Sequence, residues 1–324
     1  MRKVIACMLI FVTVAGLVSC STENQQVHKY SKLKLNNAEI TRDLKGSYSN
    51  SLLSTDLCIV DKTFPNTVDD VITSDGALLI NITKKECAFS KNLYTRMYPA
   101  SITKFLTALV ALKKCNITDE VTINGEATKI YESGAKLCGF KEGDKISMEN
   151  LLKSMLVYSG NDAALAIAIH ISGSQQEFAN EMNRTCKALG ASGSNFVNPH
   201  GLHDDNQYTT PYDLYLILNE LIKYEGIFNM YGLPSVEVSY TDAAGNQQTK
   251  NFGATNRYTN GKAQAPENVT VLGGKTGTTD RAGNCLLVHA RNTASNNDYI
   301  AVVLNAKSAN DLYTNMTKVL TYAN

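Results

Sequence analysis

A chain of 324 residues that is 44% apolar and 19% charged has room for one large domain or two small ones, and enough apolar residues for a globular core. The formal charge is +1, from 31 basic and 30 acidic groups, with no basic run and no aromatic-basic patch. That balance argues against a nucleic-acid partner.

The chain opens with Arg2 and Lys3, followed by an apolar stretch from Val4 to Val18 that is short for a membrane span. The stretch ends in Leu17-Val18-Ser19-Cys20, which resembles the lipobox of bacterial lipoproteins. The resemblance implies cleavage before Cys20, a diacylglycerol on its thiol, and a protein anchored by lipid at the outer face of the bacterial cell membrane. An ordinary secretory signal with an incidental cysteine is the alternative, and either reading exports the protein. Loss of residues 1–19 removes two basic groups and no acid, so the balance turns slightly negative. Residues 20–66 are polar or without sustained period and are expected to form a tether, with Leu57–Val60 as a possible extra strand. The folded domain is expected over 67–324.

Within it, Gly76–Ile82 reads as a strand, Lys84-Lys-Glu as a turn and Cys87–Phe89 as a returning strand. A helix is expected from Pro99 to Leu112, since Pro99 suits a first turn and Phe105–Leu112 is almost wholly apolar. Ser147 caps a helix running to Leu156. Another spans Ala163–Ile171 and stops near Gly173. Ser174-Gln-Gln-Glu177 is a capping box opening a helix that ends at Gly190. Thr210-Pro-Tyr-Asp213 opens one running to about Tyr224. Asn284–Ala290 and Tyr299–Leu304 read as paired strands, and a last helix fills 309–322. The order predicts an α+β fold: an antiparallel sheet flanked by helices, with a mainly helical portion in the middle.

Three stretches carry chemistry. Ser101 and Lys104 sit three apart at a helix start, on one face and about 5–6 Å from each other. Burial among apolar neighbours disfavours the ammonium form of Lys104, and a neutral amine can take the proton of Ser101 and make it a nucleophile. Ser159-Gly160-Asn161 lies between two apolar helices, where a short polar turn projects a hydroxyl and an amide. Gly273-Gly-Lys-Thr-Gly-Thr-Thr279 combines close-approach glycines with Lys275 and the hydroxyls of Thr276 and Thr278. A phosphate loop fails here, because Gly273 and Gly274 are adjacent and strands follow instead of a helix.

S-x-x-K, S-x-N and K-T-G in this order resemble the penicillin-recognising serine enzymes. The chain looks most like the D-alanyl-D-alanine carboxypeptidases among the low-molecular-mass penicillin-binding proteins. The resemblance is carried by Tyr98-Pro-Ala-Ser-Ile-Thr-Lys104, Ser159-Gly-Asn-Asp-Ala-Ala164, Phe196-Val-Asn-Pro-His-Gly-Leu202, Lys275–Thr279 and Ala282-Gly-Asn-Cys-Leu286. It implies a β-lactamase/transpeptidase-like fold with the active site between sheet and helical subdomain, and a role in peptidoglycan synthesis, cell-wall biogenesis and cell shape. It makes Ser101 the nucleophile, Lys104 its general base and Ser159 the proton relay to the leaving amine. Asn161 holds the substrate amide. Lys275, Thr276, Gly277 and Thr278 are substrate-binding, with Lys275, Thr276 and Thr278 on the terminal carboxylate, and the N–H groups of Ser101 and Thr278 form the oxyanion hole. The implied partners are peptidoglycan stem peptides as substrate and β-lactams as inhibitors, and no metal or organic cofactor is called for.

Many relatives carry a second β-rich domain and a C-terminal amphipathic anchor. This chain ends soon after its last predicted helix, so the N-terminal lipid is expected to replace that anchor. Tyr208 stands where a histidine is expected after Gly201-Leu202. A class A-like β-lactamase stays an alternative, although residues 190–210 contain no glutamate and Glu177 and Glu181 fall in a predicted helix. So do a D,D-endopeptidase or transpeptidase, and a non-catalytic cell-wall-binding lipoprotein. His170 is read as a core histidine and His200 as part of the cleft wall. Cys58, Cys87, Cys115, Cys138, Cys186 and Cys285 permit three bridges or free thiols, and Cys285 reads as a buried thiol.

Overall fold

The computed structural model describes residues 56–323. The export segment, Cys20 and most of the expected tether lie outside the described residues. In chain order the strands are β1 (Gly76–Asn81), β2 (Glu86–Lys91), β3 (Glu120–Thr122), β4 (Lys145–Ser147), β5 (Ser235–Thr241), β6 (Gln247–Gly253), β7 (Val269–Thr279), β8 (Gly283–Asn292) and β9 (Asp298–Ala306). They form a five-stranded sheet in the order β2-β1-β9-β8-β7 and a smaller sheet, β3-β4-β5-β6. Both are antiparallel throughout.

The central strands are apolar on both faces because both faces are covered. Leu78 and Ile80 of β1, Cys285 and Leu287 of β8, and Ile300, Val302 and Leu304 of β9 pack toward the helical cluster. The alternate residues Ala77, Leu79, Leu286, Val288, Ala301 and Val303 pack the other way, as the two-residue period of a strand requires. There they meet Leu312, Met316, Val319 and Leu320 of α7 (Ala309–Leu320), whose cap Ser308 accepts from the N–H of Asp311 at 3.1 Å. The helical cluster comprises α1 (Thr103–Lys114), α2 (Met148–Lys153), α3 (Asn161–Ser172), α4 (Gln175–Leu189), α5 (Pro211–Leu221) and the short α6 (Phe228–Tyr231). At its centre is α1, buried continuously from Thr103 to Ala111.

The caps read from sequence hold. Ser147, Ser174 and Thr210 accept from the N–H groups of Asn150, Glu177 and Asp213 at 3.2, 3.1 and 3.0 Å. Gly173 and Gly190 close α3 and α4 in the left-handed conformation. Other expectations are corrected. The helix capped by Ser147 ends at Lys153 and widens into a π-helical turn, Ser154–Tyr158. The K-T-G stretch, read as lying just before the C-terminal strands, is itself the edge strand β7, paired with β8 from Val269↔Asn292 to Thr279↔Gly283. The smaller sheet was not foreseen, although β5 alternates buried Val236 and Val238 with exposed neighbours.

The packed chain also begins before residue 67. Cys58 and Val60 are buried. The hydroxyl of Tyr215 accepts from the Cys58 N–H at 2.8 Å, that of Tyr212 donates to the Cys58 carbonyl at 2.8 Å, and that of Tyr94 donates to the Val60 carbonyl. These tyrosines lie far along the chain, so local hydropathy carries no trace of them. His170 is exposed rather than in the core, because the last turn of α3 runs out into solvent. The six cysteines of the described residues are free thiols, and Cys285 is fully buried as expected.

Candidate active site

Three segments converge on a cleft of about 280 Å³: the start of α1, the turn between the π-helical segment and α3, and β7. From the three motifs Ser101, Ser159, Asn161, Thr276, Gly277, Thr278 and Thr279 line it directly. The two lysines are the fully buried floor, each with 0% of its surface exposed.

Ser101 lies in a tight turn, Ala100–Ile102, that feeds straight into α1 and puts Lys104 one turn further along the same side. Lys104 Nζ stands 2.9 Å from Ser101 Oγ, 2.6 Å from Asn161 Oδ1 and 2.5 Å from the His200 carbonyl. Burial, and then the positive charge of Lys275, hold its pKa well below the ordinary lysine value. A neutral amine has two hydrogens and one lone pair. The hydrogens go to Asn161 Oδ1 and the His200 carbonyl, both pure acceptors, which turns the lone pair to the Ser101 hydroxyl. That is the geometry of a general base already in contact with its nucleophile.

The His200 carbonyl is held there by a tight loop. Asn198 Oδ1 accepts from the Gly201 N–H at 2.7 Å, Asn198 Nδ2 donates to the Leu202 carbonyl at 3.0 Å, and the Thr107 hydroxyl donates to the Pro199 carbonyl at 2.6 Å. Gly201 has φ +85°, and a Cβ there would stand 2.0 Å from the Ala100 carbonyl oxygen. Ala100 itself has φ +46°, a strained value for a residue with a side chain. The strained turn and the glycine fit together and fix Ser101. His200 therefore contributes its carbonyl. Its ring stays neutral, with the pKa pushed down to about 3 by burial and then by Lys104.

On the opposite wall, Ser159 has φ +76° and ends the π-helical turn. Its hydroxyl accepts from Lys275 Nζ at 2.9 Å, and the same ammonium donates to the Thr276 carbonyl at 2.9 Å. Burial, and then the charge of Lys136, bring Lys275 down to about 7. A Cβ on Gly277 would stand 2.7 Å from the Ser101 nitrogen, so only glycine lets β7 close on the nucleophile's backbone N–H.

Asp162 ties in the rim. Its carboxylate accepts from the N–H groups of Cys138 and Gly139, both at 2.8 Å. The Asn161 N–H donates to the Lys136 carbonyl at 2.8 Å. This brings Gly134, Ala135 and Lys136 onto the cleft, none of which carried a motif. Thr255 is a second omission. It follows the unforeseen β6, and its hydroxyl accepts from that of Thr276 at 2.7 Å. One set of metal-type donors exists among the described residues: Cys115, Asp119 and His170 offer ligand atoms within 4.8 Å of one another. It lies at the far end of α1, about 18 Å of helix from Ser101, and takes no part in the cleft.

A serine and a buried lysine at a helix start, a second serine and an asparagine on a turn, and a Lys-Thr-Gly edge strand around one cleft define the penicillin-recognising serine enzyme fold. Solved structures agree. A variant of a Streptomyces DD-transpeptidase matches with a TM-score of 0.70 at 25% identity, over 78% of this chain and 97% of its own. The D-alanyl-D-alanine carboxypeptidase DacD of Francisella tularensis matches with a TM-score of 0.68 at 25% identity, over 87% and 76%. Residues 63–308 match the D-alanyl-D-alanine carboxypeptidase family, and this chain belongs to it. It is 32% identical to D-alanyl-D-alanine carboxypeptidase DacF of Bacillus subtilis over 253 residues, covering 76% of this chain and 61% of the relative. To DacC of Escherichia coli it is 31% identical over 239 residues, covering 71% and 56%. The chain thus spans about three fifths of the length of the curated relatives it matches.

Proposed function

We propose that this protein is a serine D,D-carboxypeptidase that removes the terminal D-Ala of peptidoglycan stem peptides through an acyl-enzyme, and that β-lactams acylate the same serine. The carrying observation is the 2.9 Å contact between Ser101 Oγ and a fully buried Lys104 whose other contacts are acceptors. As Ser101 Oγ bonds to the scissile carbonyl carbon, its proton passes to Lys104. The oxyanion faces the N–H groups of Ser101 and Thr278, and removing one such donor costs about 2.7–4 kcal/mol. The C–N bond then breaks, and the leaving amine is protonated through Ser159. Water attacks the Ser101 ester, releases the shortened peptide and restores the hydroxyl. Asn161 Oδ1 accepts from Lys104 Nζ, and Asn161 Nδ2 donates to a substrate carbonyl. Lys275, Thr276 and Thr278 bind the terminal carboxylate.

No carboxylate is among the residues lining the cleft. A β-lactamase of the kind that uses a glutamate to activate the deacylating water lacks its base here, which favours a long-lived adduct. Intact mass of the protein with benzylpenicillin, together with D-Ala release from a pentapeptide, tests the reading. A single persistent adduct on Ser101, lost with D-Ala release in Ser101→Ala, is expected. Rapid turnover of the drug points to a β-lactamase, and absence of any adduct to a binding module.

We also propose export and anchoring by a lipid on Cys20 at the outer face of the cell membrane. The support is the basic start, the apolar run and Ser19-Cys20. Cys20→Ser should release the protein from the membrane fraction, and unchanged fractionation defeats the idea.

A further inference from the structure

At the end of α1 away from the cleft, a thiol, a carboxylate and an imidazole come together. Cys115 Sγ, a carboxylate oxygen of Asp119 and a ring nitrogen of His170 all lie within 4.8 Å of one another. None of the three belongs to a catalytic motif. Cys115 follows the last residue of α1, Asp119 stands just before β3, and His170 is in the last turn of α3.

The backbone fixes two of the donors. The Cys115 N–H donates to the Ala111 carbonyl at 2.9 Å and continues the helix ladder. The carbonyls of Ile117 and Asp119 accept from the N–H groups of Glu149 and Met148 at the start of α2, both at 2.8 Å. One oxygen of the Asp119 carboxylate accepts from the Asn116 N–H at 3.0 Å, which orients the other outward. The loop carrying Cys115 and Asp119 is therefore held from both sides. His170 is exposed, so its ring is free to turn toward them.

The electrostatics favour a cation. Two helices, α1 and α3, end at this place, and a helix C-terminus carries a partial negative charge. The lysines nearest it are drawn elsewhere: Lys113 pairs with Glu220 at 3.1 Å and Lys114 with Glu181 at 3.2 Å. A thiolate and a carboxylate together balance one divalent ion. The donor types select which one. Thiolate and imidazole suit zinc, whereas magnesium and calcium take shells of oxygen. Bonds of about 2.0–2.3 Å put neighbouring ligands of a tetrahedral zinc about 3.3–3.6 Å apart. The spread of 4.8 Å closes with a movement of about 1 Å toward that geometry, which an exposed histidine ring can make.

We propose that Cys115, Asp119 and His170 form a zinc site, with water as the fourth ligand, that clamps the ends of α1 and α3 to the loop between α1 and β3. On binding, the Cys115 thiol passes its proton to solvent and its sulfur bonds to the metal. The role is structural. The same two helices begin with Lys104 and Asn161, so the clamp ties together the far ends of the elements that carry the cleft. The inference does not rest on the carboxypeptidase reading.

The test uses the purified protein, stripped of metal by a chelator and kept reduced with a phosphine. Titration with Zn²⁺ should show one equivalent bound, and Tm should rise with free Zn²⁺ but not with Mg²⁺ or Ca²⁺. Co²⁺ in place of zinc should give a thiolate-to-cobalt charge-transfer band, and Cys115→Ser should abolish it. Cys115→Ser, Asp119→Ala and His170→Ala should each weaken zinc binding by about tenfold or more, since loss of a group that merely orients a ligand already costs that much. Urea unfolding without metal reports that each variant is folded. No zinc bound by the wild type, or binding and a cobalt band that survive Cys115→Ser, overturns the site. Zinc that binds without raising Tm is held as well by the unfolded chain, and overturns the clamp.

Discussion

Two lysines face each other across the cleft, one on the helical wall and one on the strand wall. Each is fully buried and each lies 2.9 Å from a serine hydroxyl. Their surroundings differ. Lys104 sits in the first turn of α1 with two fixed acceptors besides Ser101, and the charge of Lys275 adds to burial in lowering its pKa. Lys275 sits in an edge strand with one carbonyl acceptor, and the nearest charge acting on it belongs to Lys136 at the rim. One environment holds the pKa well below the ordinary lysine value, the other gives an amine that titrates at about 7. In the proposed reaction the same side chain serves as a base on one wall and as an anion-binding group on the other, and beyond burial the difference lies in which neighbouring charge acts on each amine.

The comparison is broken most severely at Lys104. Lys104→Met keeps the length of the side chain and removes the lone pair. Acylation by benzylpenicillin, followed by intact mass, should slow by about a thousandfold or more, near the upper range for loss of a general base. A loss under tenfold would mean that another group deprotonates Ser101.

Lys275→Met should slow acylation by about a hundredfold, as loss of one transition-state donor does. It should also change stability with a definite sign. The folded pKa is depressed, to about 7, from an unfolded value of about 10.4. The folded state therefore holds this proton less firmly than the unfolded chain. The cost, several kcal/mol in principle, is fully present below pH 7 and disappears as pH rises toward 10. Removing the amine takes a donor from the Ser159 hydroxyl and the Thr276 carbonyl, which offsets part of the relief, and a net gain of about 1 kcal/mol is expected near neutrality. Urea denaturation at pH 6.5 and 9.5 should show a gain that shrinks at the higher pH. A pH-independent difference would contradict the depressed pKa.

How much of this was legible depended on range. Ser101, Lys104, Ser159, Asn161 and Lys275 were read from short spacings, and the caps at Ser147, Ser174 and Thr210 from local chemistry, because each is decided within a few residues. The His200 carbonyl was missed as a partner of Lys104, since a backbone acceptor 96 residues away leaves no mark on its side chain. Thr255 was missed for a related reason: it belongs to the end of a hairpin that motif order passes over. The edge strand at Lys275 was not foreseen because glycines and threonines with one lysine lack the apolar alternation that marked β8 and β9. Cys58 and Val60 looked like tether because their partners are tyrosine hydroxyls far along the chain, those of Tyr212 and Tyr215 on α5 and that of Tyr94 in the turn after β2.

The finest test of the difference between the walls is at the rim. Lys136 is the charge that lowers Lys275 after burial, and its own ammonium lies 4.7 Å from the Tyr158 ring centroid. Lys136→Gln removes that charge and leaves the backbone carbonyl that accepts from Asn161 in place. Lys275 should then titrate higher, and by less than the burial contribution, because burial is the larger cause. If protonated Lys275 binds the substrate carboxylate, kcat/KM falls on the alkaline side as that proton leaves. The alkaline limb of the wild-type profile should begin near 7 and move up in the variant. The acid limb reports Lys104, whose pKa is lowered by burial and then by the charge of Lys275 rather than by Lys136, so it should move less. Equal movement of both limbs would mean that the two lysines share one electrostatic environment, and the separation of base from anion-binding group would lose its physical basis.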